Sequence, residues 1–388
     1  MIRAFSYSHF PQNAISIYTH MKKMSISPNN YTFPFLLKSI SDLKLINQGQ
    51  TIHTQVLKLG YMSDIYVLNS LLNVYSSCGD MNICEKLFDE MPQRDVVSWT
   101  ILIEGNRNIG KLDDAHLAFQ KMLYSGVLPN RVTMVNVLSL CASSGMLSVG
   151  VWVDDYIRRS GWELDVILGT SLVDMYAKCG KIEEALGIFQ SMNEKNVSTW
   201  NSLIRGLALA KSGEEAMRWF SLMELEGINP DEVTLLAVLS ACSHSGMVQT
   251  GRNVFNSIVN GRYGFQPSIK HFGCMIDMLA RAGCLDEAFK LIETMPFKPT
   301  KSMWGALHTG CRLQGSLELC EFTAWKLIEL EPEIAAYYAS LSNLYAEMGR
   351  WSDVEKVRKL MKERKLVKDA GNSFIEVQDH KKQDYVSC

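Results

Sequence analysis

An internal repeat constrains the fold of this chain more than any other feature. Shifted by 101 residues, the sequence matches itself: Tyr75 aligns with Tyr176, Gly79 with Gly180, and Trp99 with Trp200. A third, more divergent copy lies 103 residues further along, where "ARAGCLDEAFKLIETMP" (280–296) corresponds to "AKCGKIEEALGIFQSMN" (177–193). Self-similarity at a fixed period indicates an array of similar units rather than unrelated domains.

Each 101-residue block divides into units of 35, 35 and 31 residues, the third copy having slightly longer second and third units, and each unit has the pattern of two helices. Apolar residues recur at helical spacing, as in Leu172, Tyr176, Ala185 and Ile188. A glycine-centred break such as "KCGK" separates the two halves, where glycine suits the position just past a helix end. One helix pair cannot bury its own apolar face, so we expect the units to stack into an all-α solenoid.

Composition and charge limit the class of protein. The 388 residues are 47% hydrophobic and 21% charged, with a net charge of −2, which is ordinary for a folded protein and requires neither nucleic acid nor an anionic membrane as partner. No apolar run approaches the roughly 18 residues that a membrane span needs. The ten cysteines form no Cys-x-x-Cys pair and follow no clear signal peptide, so we expect reduced thiols with structural roles, Cys179 included.

Several motifs resemble those of a known family. "DVVSWTILIEG", "NVSTWNSLIRG", "LFDEMPQRD" and "SLVDMYAKCGKIEEALGIF" are similar to plant pentatricopeptide repeats, and the alternation of ordinary (P), long (L) and short (S) units resembles the PLS class. The segments 303–332 and 337–377 resemble the tetratricopeptide-like E motifs of the E subgroup. The resemblance implies a right-handed superhelical solenoid of helix-turn-helix pentatricopeptide repeats with tetratricopeptide-like C-terminal motifs.

The expected units follow from the repeat and the resemblance together. They are a partial P repeat at 1–29, L repeats at 30–64, 131–165 and 232–268, S repeats at 65–95, 166–196 and 269–300, P repeats at 96–130 and 197–231, E motifs at 301–333 and 334–369, and a tail at 370–388. Because the first unit lacks its opening residues, we expect that N-terminal repeats and a targeting peptide are missing from this chain.

Proteins with this arrangement are implied to be RNA-binding factors that select cytidines for conversion to uridine in organelle transcripts. The implied partners are single-stranded organelle RNA, a deaminase-bearing pentatricopeptide protein and accessory editing factors, without a membrane. The implied location is the mitochondrion, with the chloroplast as alternative. The family's deaminase chemistry needs His-x-Glu and Cys-x-x-Cys, and none of the eight histidines has Glu two places later. We therefore expect no catalytic residue, no metal, no cofactor and no enzyme activity.

In the family, one base is recognised by the fifth residue of a unit together with its last residue. We call the four polar combinations in this chain the recognition pairs, and their units the recognition units. They are Asn69 with Asp95, Thr100 with Asn130, Thr170 with Asn196, and Asn201 with Asp231. The long units carry Pro34, Val135 and Leu236 at the fifth place and are expected to act as spacers, while Gly273 leaves the base of unit 269–300 open.

The chemistry of the last residue matches the edges of the bases. An ionised carboxylate only accepts hydrogen bonds and suits the N3–H of uracil or the N1–H of guanine, whereas an asparagine amide can donate to N1 of adenine or N3 of cytosine. The rule of the family assigns Asn/Asp to U and Thr/Asn to A. The expected target is therefore U-A-n-A-U, written 5′ to 3′, where n is not recognised.

Other interpretations of these residues remain open. Asp and Asn at a unit boundary are also good helix N-caps, each contributing about 1 kcal/mol. The whole chain could instead be a splicing or transcript-stability factor, or a tetratricopeptide-like scaffold that binds protein. Trp99 and Trp200 lie in register with the apolar stripe, which favours the core over base stacking.

Overall fold

The computed structural model describes residues 1–366, and the regular structure within them is entirely helical. The expected tail at 370–388 and the last three residues of the second E motif lie outside the described residues. The chain forms two compact units, Met1–Ala241 and Cys242–Cys388.

The first compact unit is built from consecutive helix pairs. Its helices are α1 (Ile2–Ser6), α2 (Pro11–Lys23), α3 (Thr32–Asp42), α4 (Ile46–Lys58), α5 (Ile65–Ser77), α6 (Met81–Glu90), α7 (Val96–Asn108), α8 (Leu112–Tyr124), α9 (Arg131–Ser144), α10 (Leu147–Arg159), α11 (Val166–Lys178), α12 (Ile182–Ser191), α13 (Val197–Leu209) and α14 (Gly213–Leu225). Helix α15 (Glu232–His244) contains the residue at which this unit ends.

The second compact unit continues the same pattern. Its helices are α16 (Val248–Val259), α17 (Ile269–Arg281), α18 (Leu285–Thr294), α19 (Lys301–Gln314), α20 (Leu317–Leu330), α21 (Ala335–Glu347) and α22 (Trp351–Glu363). His308 on α19 links two pairs, because its Nδ1 lies 3.0 Å from Thr323 Oγ1 and its Nε2 lies 2.9 Å from Ser340 Oγ.

The break inside a unit is made by a left-handed glycine. Helix α11 buries Leu172 and Tyr176, ends at Lys178 and has Cys179 as its C-cap, after which Gly180 has φ +75°. A residue with a Cβ is strained at that φ, which explains the glycine. The thiol of half-buried Cys179 donates to the carbonyl of Cys141 at 3.7 Å. Cys179 therefore caps the helix and contacts a neighbouring one, as expected for a structural role.

The first helices of successive pairs form one continuous layer in the first compact unit. Helix α3 packs on α5, α5 on α7, α7 on α9, α9 on α11, and α11 on α13. At α13 the backbone approaches so closely that a Cβ on Gly206 would lie 2.4 Å from the Cβ of Ala177. This close packing brings the start of each first helix next to the start of the following one, and those starts carry the recognition pairs.

Candidate nucleic-acid interface

The last residue of each recognition unit caps the first helix of the next unit. Its Oδ1 accepts the backbone N–H of the third helical residue, with distances of 2.9 Å from Ser98 to Asp95, 2.9 Å from Thr133 to Asn130, 3.0 Å from Thr199 to Asn196, and 2.8 Å from Thr234 to Asp231. The capping interpretation is therefore correct at all four boundaries. The cap fixes the orientation of the same side chain that is proposed to contact a base.

The two Asn/Asp recognition pairs are in direct contact. The amide Nδ2 of Asn69 donates to both carboxylate oxygens of Asp95, at 3.1 and 3.3 Å. The Nδ2 of Asn201 donates to Oδ1 of Asp231 at 3.0 Å. Both asparagines are buried, being 8% and 4% exposed. Residues that are 26 and 30 places apart in the sequence thus form one hydrogen-bonded group across two neighbouring helices.

The two Thr/Asn recognition pairs are joined through a third hydroxyl. Thr100 Oγ1 lies 2.7 Å from Thr133 Oγ1, which lies 3.0 Å from Asn130 Oδ1. Thr170 and Asn196 are connected in the same way, with 2.7 Å from Thr170 Oγ1 to Thr199 Oγ1 and 3.1 Å from there to Asn196 Oδ1. The bridging threonines were not singled out from the sequence. Their signal is a hydroxyl residue three places after the Asp or Asn, which is a reciprocal variant of the capping box.

The cap bond uses one head-group atom of the last residue, Oδ1, and does not use the other. In Asn130 and Asn196 the bonds described above all end on Oδ1, so Nδ2 makes none of them and remains a donor. In Asp231 they end on Oδ1 as well, so Oδ2 remains an acceptor. The boundary therefore offers a donor at Asn130 and Asn196 and an acceptor at Asp231, which matches the base edges expected for them. At Asp95, Oδ2 also accepts from Asn69, at 3.3 Å.

Asp231 is held in its ionised form. Partial burial alone would raise the pKa of its carboxyl, but hydrogen bonds from the Thr234 backbone, the Asn201 amide and the Val233 backbone outweigh it and hold the pKa below its ordinary value. Hydrogen bonds to the charged form act in this direction. At neutral pH the group is therefore acceptor-only.

The two Asn/Asp pairs differ in how the asparagine oxygen is satisfied. Thr234 Oγ1 lies 2.6 Å from Oδ1 of Asn201. At the other pair, the hydroxyl of Ser98 donates to the backbone carbonyl of Asp95 at 2.9 Å instead. Within residues 1–366, Oδ1 of Asn69 is consequently buried without a hydrogen-bond partner.

The long units have a different arrangement at the same places. Their fifth residues, Pro34, Val135 and Leu236, are half-buried and have no side-chain hydrogen-bonding group. Asp64 and Asp165 cap α5 and α11 through Oδ1, while Asn30 and Arg131 donate to their Oδ2 at 3.0 and 2.8 Å.

The remaining unit ends also lack a recognition pair. Ser268, which ends the third long unit, has its hydroxyl 2.8 Å from Nδ1 of His271. In unit 269–300 the fifth residue is Gly273, so Thr300, which caps α19, has no side chain at that place to pair with.

Apolar side chains at the second place of successive units are exposed. They are Tyr66 (74% exposed), Val97 (45%), Val132 (60%), Ile167 (67%) and Val233 (45%). Each stands next to the first-helix start that carries the capping residue, and unit 197–231 has Ser198 at this place. The sequence signal is an apolar residue that recurs with the unit period outside the buried helical stripe.

Other candidate chemistry is confined to packing in the described part of the chain. Trp99 and Trp200 are 5% and 1% exposed and pack edge-on against Phe88 and Phe189, which confirms their place in the core. Among residues 1–366 there is no cluster of three or more His, Cys, Asp or Glu side chains placed to hold a metal ion. None of the described helices combines the length and the apolar character needed to cross a membrane.

Comparison with known proteins identifies the family. Pentatricopeptide repeat-containing protein At5g56310 of Arabidopsis thaliana is 38% identical over an alignment that covers 98% of this chain and 78% of that protein. The chain belongs to the pentatricopeptide repeat family. The mitochondrial pentatricopeptide protein At2g22410 and the chloroplastic one At1g08070, both from Arabidopsis thaliana, are each 38% identical over 94% and 92% of this chain. The chain spans 58% and 48% of their lengths.

Family models place the pentatricopeptide repeats along the chain. The model described as "PPR repeat" matches residues 66–96, 97–127, 170–197 and 271–298, and the one described as "PPR repeat family" matches 195–244. The model described as "E motif" matches 315–376. The chain is thus a pentatricopeptide repeat protein with an E motif.

A solved pentatricopeptide structure shares the fold. The crystal structure of PPR10 in complex with an 18-nt psaJ RNA element superposes with a TM-score of 0.69 at 16% identity, covering 94% of this chain and 60% of that one. At this identity the likeness concerns the helical-repeat fold alone.

Proposed function

We propose that this pentatricopeptide protein is a sequence-specific single-stranded RNA-binding factor of a plant organelle. In this proposal it selects one cytidine for conversion to uridine and recruits a deaminase in trans, without a catalytic step of its own. The observation that carries the proposal is the construction of the recognition pairs. At each one, a helix cap holds a polar side chain in place. At Asn130, Asn196 and Asp231 the other head-group atom makes no bond within the pair, and at Asp95 it accepts a longer bond from Asn69, at 3.3 Å.

The exposed second-place residues support the same function. A base whose edge meets the last residue of a unit needs an apolar surface for its faces. Side chains such as Val97 and Val132 lie beside that position and are 45% and 60% exposed. Their contribution is independent of sequence, since every base has two apolar faces. In this arrangement the hydrogen-bonding pair supplies specificity and the second residue supplies affinity.

The E motif favours editing over other RNA functions, because the resemblance ties this motif to cytidine selection. Curated relatives carry both mitochondrial and chloroplastic names. We propose the mitochondrion as the location, with the chloroplast as alternative. The near-neutral charge of −2 predicts few phosphate contacts and a shallow dependence of affinity on salt.

Selection from an RNA library tests the proposal. RNA randomised over about fifteen positions is bound to the purified chain at two salt concentrations, and the retained fraction is sequenced. We expect enrichment of U-A-n-A-U. The double variant Asn201→Thr/Asp231→Asn should change the last U to A, because a good contact is worth about 1–3 kcal/mol of discrimination. A folded protein that enriches nothing would support the protein-binding scaffold instead.

A second assay separates editing from other RNA roles. A plant organelle extract is supplied with RNA that carries the enriched element followed by cytidines, with and without the added chain. Increased conversion of one cytidine supports recruitment of a deaminase. Specific binding with no conversion would point to a splicing or stability factor.

A further inference from the structure

The first residue of a unit separates the long units from the recognition units. In the recognition units it is apolar, namely Ile65, Val96, Val166 or Val197. In the long units it is polar, namely Asn30, Arg131 or Glu232. A branched aliphatic side chain cannot hydrogen-bond to the last residue of its unit, whereas Asn and Arg can.

In two long units the first residue does contact the last. Arg131 Nη1 donates to Oδ2 of Asp165 at 2.8 Å, and the two side chains are 44% and 48% exposed. Asn30 Nδ2 donates to Oδ2 of Asp64 at 3.0 Å. The oxygen that is engaged is the one that the helix cap leaves over, since Oδ1 of Asp165 already accepts from Leu168 N–H at 2.8 Å.

Holding the carboxylate for the helix does not require this contact. The cap bond through Oδ1 is present whether or not Oδ2 has a partner, as Asp231 shows. An exposed ion pair also contributes little to stability. The guanidinium of Arg131 lies 5.9 Å from the ring centre of Trp162, in the same unit. This cation–π contact helps to hold the Arg131 side chain near the last residue of the unit.

We infer that Arg131 and Asn30 prevent base recognition by their long units, because they occupy the carboxylate oxygen that would otherwise accept from a base. In the recognition pairs that end in Asp, this oxygen makes no such bond at Asp231 and only the longer 3.3 Å bond from Asn69 at Asp95. The inference rests on the proposed RNA-binding function and concerns its specificity. In this inference, the nucleotide at the centre of U-A-n-A-U is not recognised because of the Arg131–Asp165 contact as well as the apolar Val135. Without that contact, Asp165 would offer a free acceptor to uracil N3–H or guanine N1–H.

The test replaces Arg131 by the residue found at the same place in recognition units. Wild type and Arg131→Val are titrated with four RNAs that carry U-A-n-A-U with each base at n, and with control RNAs in which one flanking U or A is changed. Wild type should bind the four within about twofold. Arg131→Val should favour U or G at n by about fivefold or more. Arg131→Lys, which keeps a cation near Asp165, should bind all four alike.

Two further variants make the result specific. Arg131→Val/Asp165→Ala should lose the new preference, because the acceptor is gone. Asn30→Val should create a preference for U or G at the nucleotide 5′ of the first U, while n remains unrecognised. Circular dichroism and thermal unfolding establish that each variant is folded.

The outcomes distinguish a failure of this inference from a failure of the proposed function. If Arg131 instead contacts a phosphate, Arg131→Val weakens all four RNAs equally, and the inference is wrong. If the flanking U-A and A-U are recognised and n stays unrecognised in Arg131→Val, the inference fails while the proposed function stands. If wild type does not discriminate at the flanking positions either, the proposed function itself is overturned.

Discussion

Asp165 and Asp231 are the same residue type at the end of two kinds of unit, and their surroundings differ. Both cap a helix through Oδ1. Asp231 also accepts from Asn201, at the fifth place, and its Oδ2 makes neither bond. Asp165 has Val135 at the fifth place of its unit, Leu168 at the third place of the next helix, and Arg131 on Oδ2.

Under the proposed function, this comparison implies that the last residue alone does not determine base recognition. We infer that three neighbours contribute, namely the first and fifth residues of the unit and the third residue of the following one. Four boundaries have Ser98, Thr133, Thr199 or Thr234 at that third place, and each of them ends a recognition unit. The boundaries at Asp64 and Asp165 have Val67 and Leu168 there.

The largest expected effect comes from removing the hydroxyl that joins an Asn/Asp pair. Thr234→Val leaves the buried Oδ1 of Asn201 without its donor, and an unsatisfied buried acceptor costs about 1–3 kcal/mol. Thr133→Val should cost less, about 0.5–1.5 kcal/mol, because Asn130 keeps its backbone cap bond and Thr100 keeps the carbonyl of Val96. Chemical denaturation measures both. Equal losses would show that the hydroxyl of Thr234 does not satisfy Asn201.

A second prediction separates capping from recognition. Asp231→Ala and Asp165→Ala should each destabilise the protein by about 1 kcal/mol, because each removes an N-cap. Only Asp231→Ala should also abolish the preference for U at the last position of the target. Denaturation and binding to RNAs that differ at one base are measured on the same samples. A loss of specificity in Asp165→Ala would contradict the separation drawn between the two unit types.

The smallest expected effect concerns the exposed second-place residues. Ile167→Ser should weaken binding to all RNAs by about 0.5–1 kcal/mol, since about 20–40 Å² of apolar contact is lost at about 25 cal/mol per Å². Ser198→Val should strengthen binding by a similar amount. Neither change should alter base preference, because an apolar face does not distinguish base edges. A base-dependent change in Ile167→Ser would show that this place contributes to specificity.

The helical-repeat fold could be predicted from the sequence because local signals repeat. The glycine breaks, of which Gly180 is one, and the apolar stripe that contains Leu172 and Tyr176 recur with the unit period, so each copy supports the others. The positions of the recognition pairs followed from the family resemblance. Stacking of the first helices then places each pair within hydrogen-bonding distance, as for Asn69 and Asp95.

The details of the pairs could not be predicted in this way. The bridging role of Thr133 depends on which rotamer its hydroxyl adopts between two helices, and sequence periodicity carries no information about rotamers. The contact between Arg131 and Asp165 joins residues 34 places apart whose side chains lie outside the buried stripe, so the apolar pattern does not constrain it. Each of these features is a side-chain hydrogen bond.

The last residue of a recognition unit has two roles, as a helix cap and as the proposed base contact, and this affects how such a protein can change during evolution. The best N-caps are Asn, Asp, Ser and Thr, with glycine close behind. Asn and Asp, the two that end the recognition units, differ in charge and in whether the remaining head-group atom donates or accepts. Under the proposed function, a single substitution between them at Asn196 or Asp231 would change the base that is recognised while the helix keeps its cap. The proposed function then implies that specificity can change by single substitutions between two capping residues without loss of the fold, one nucleotide of the target at a time.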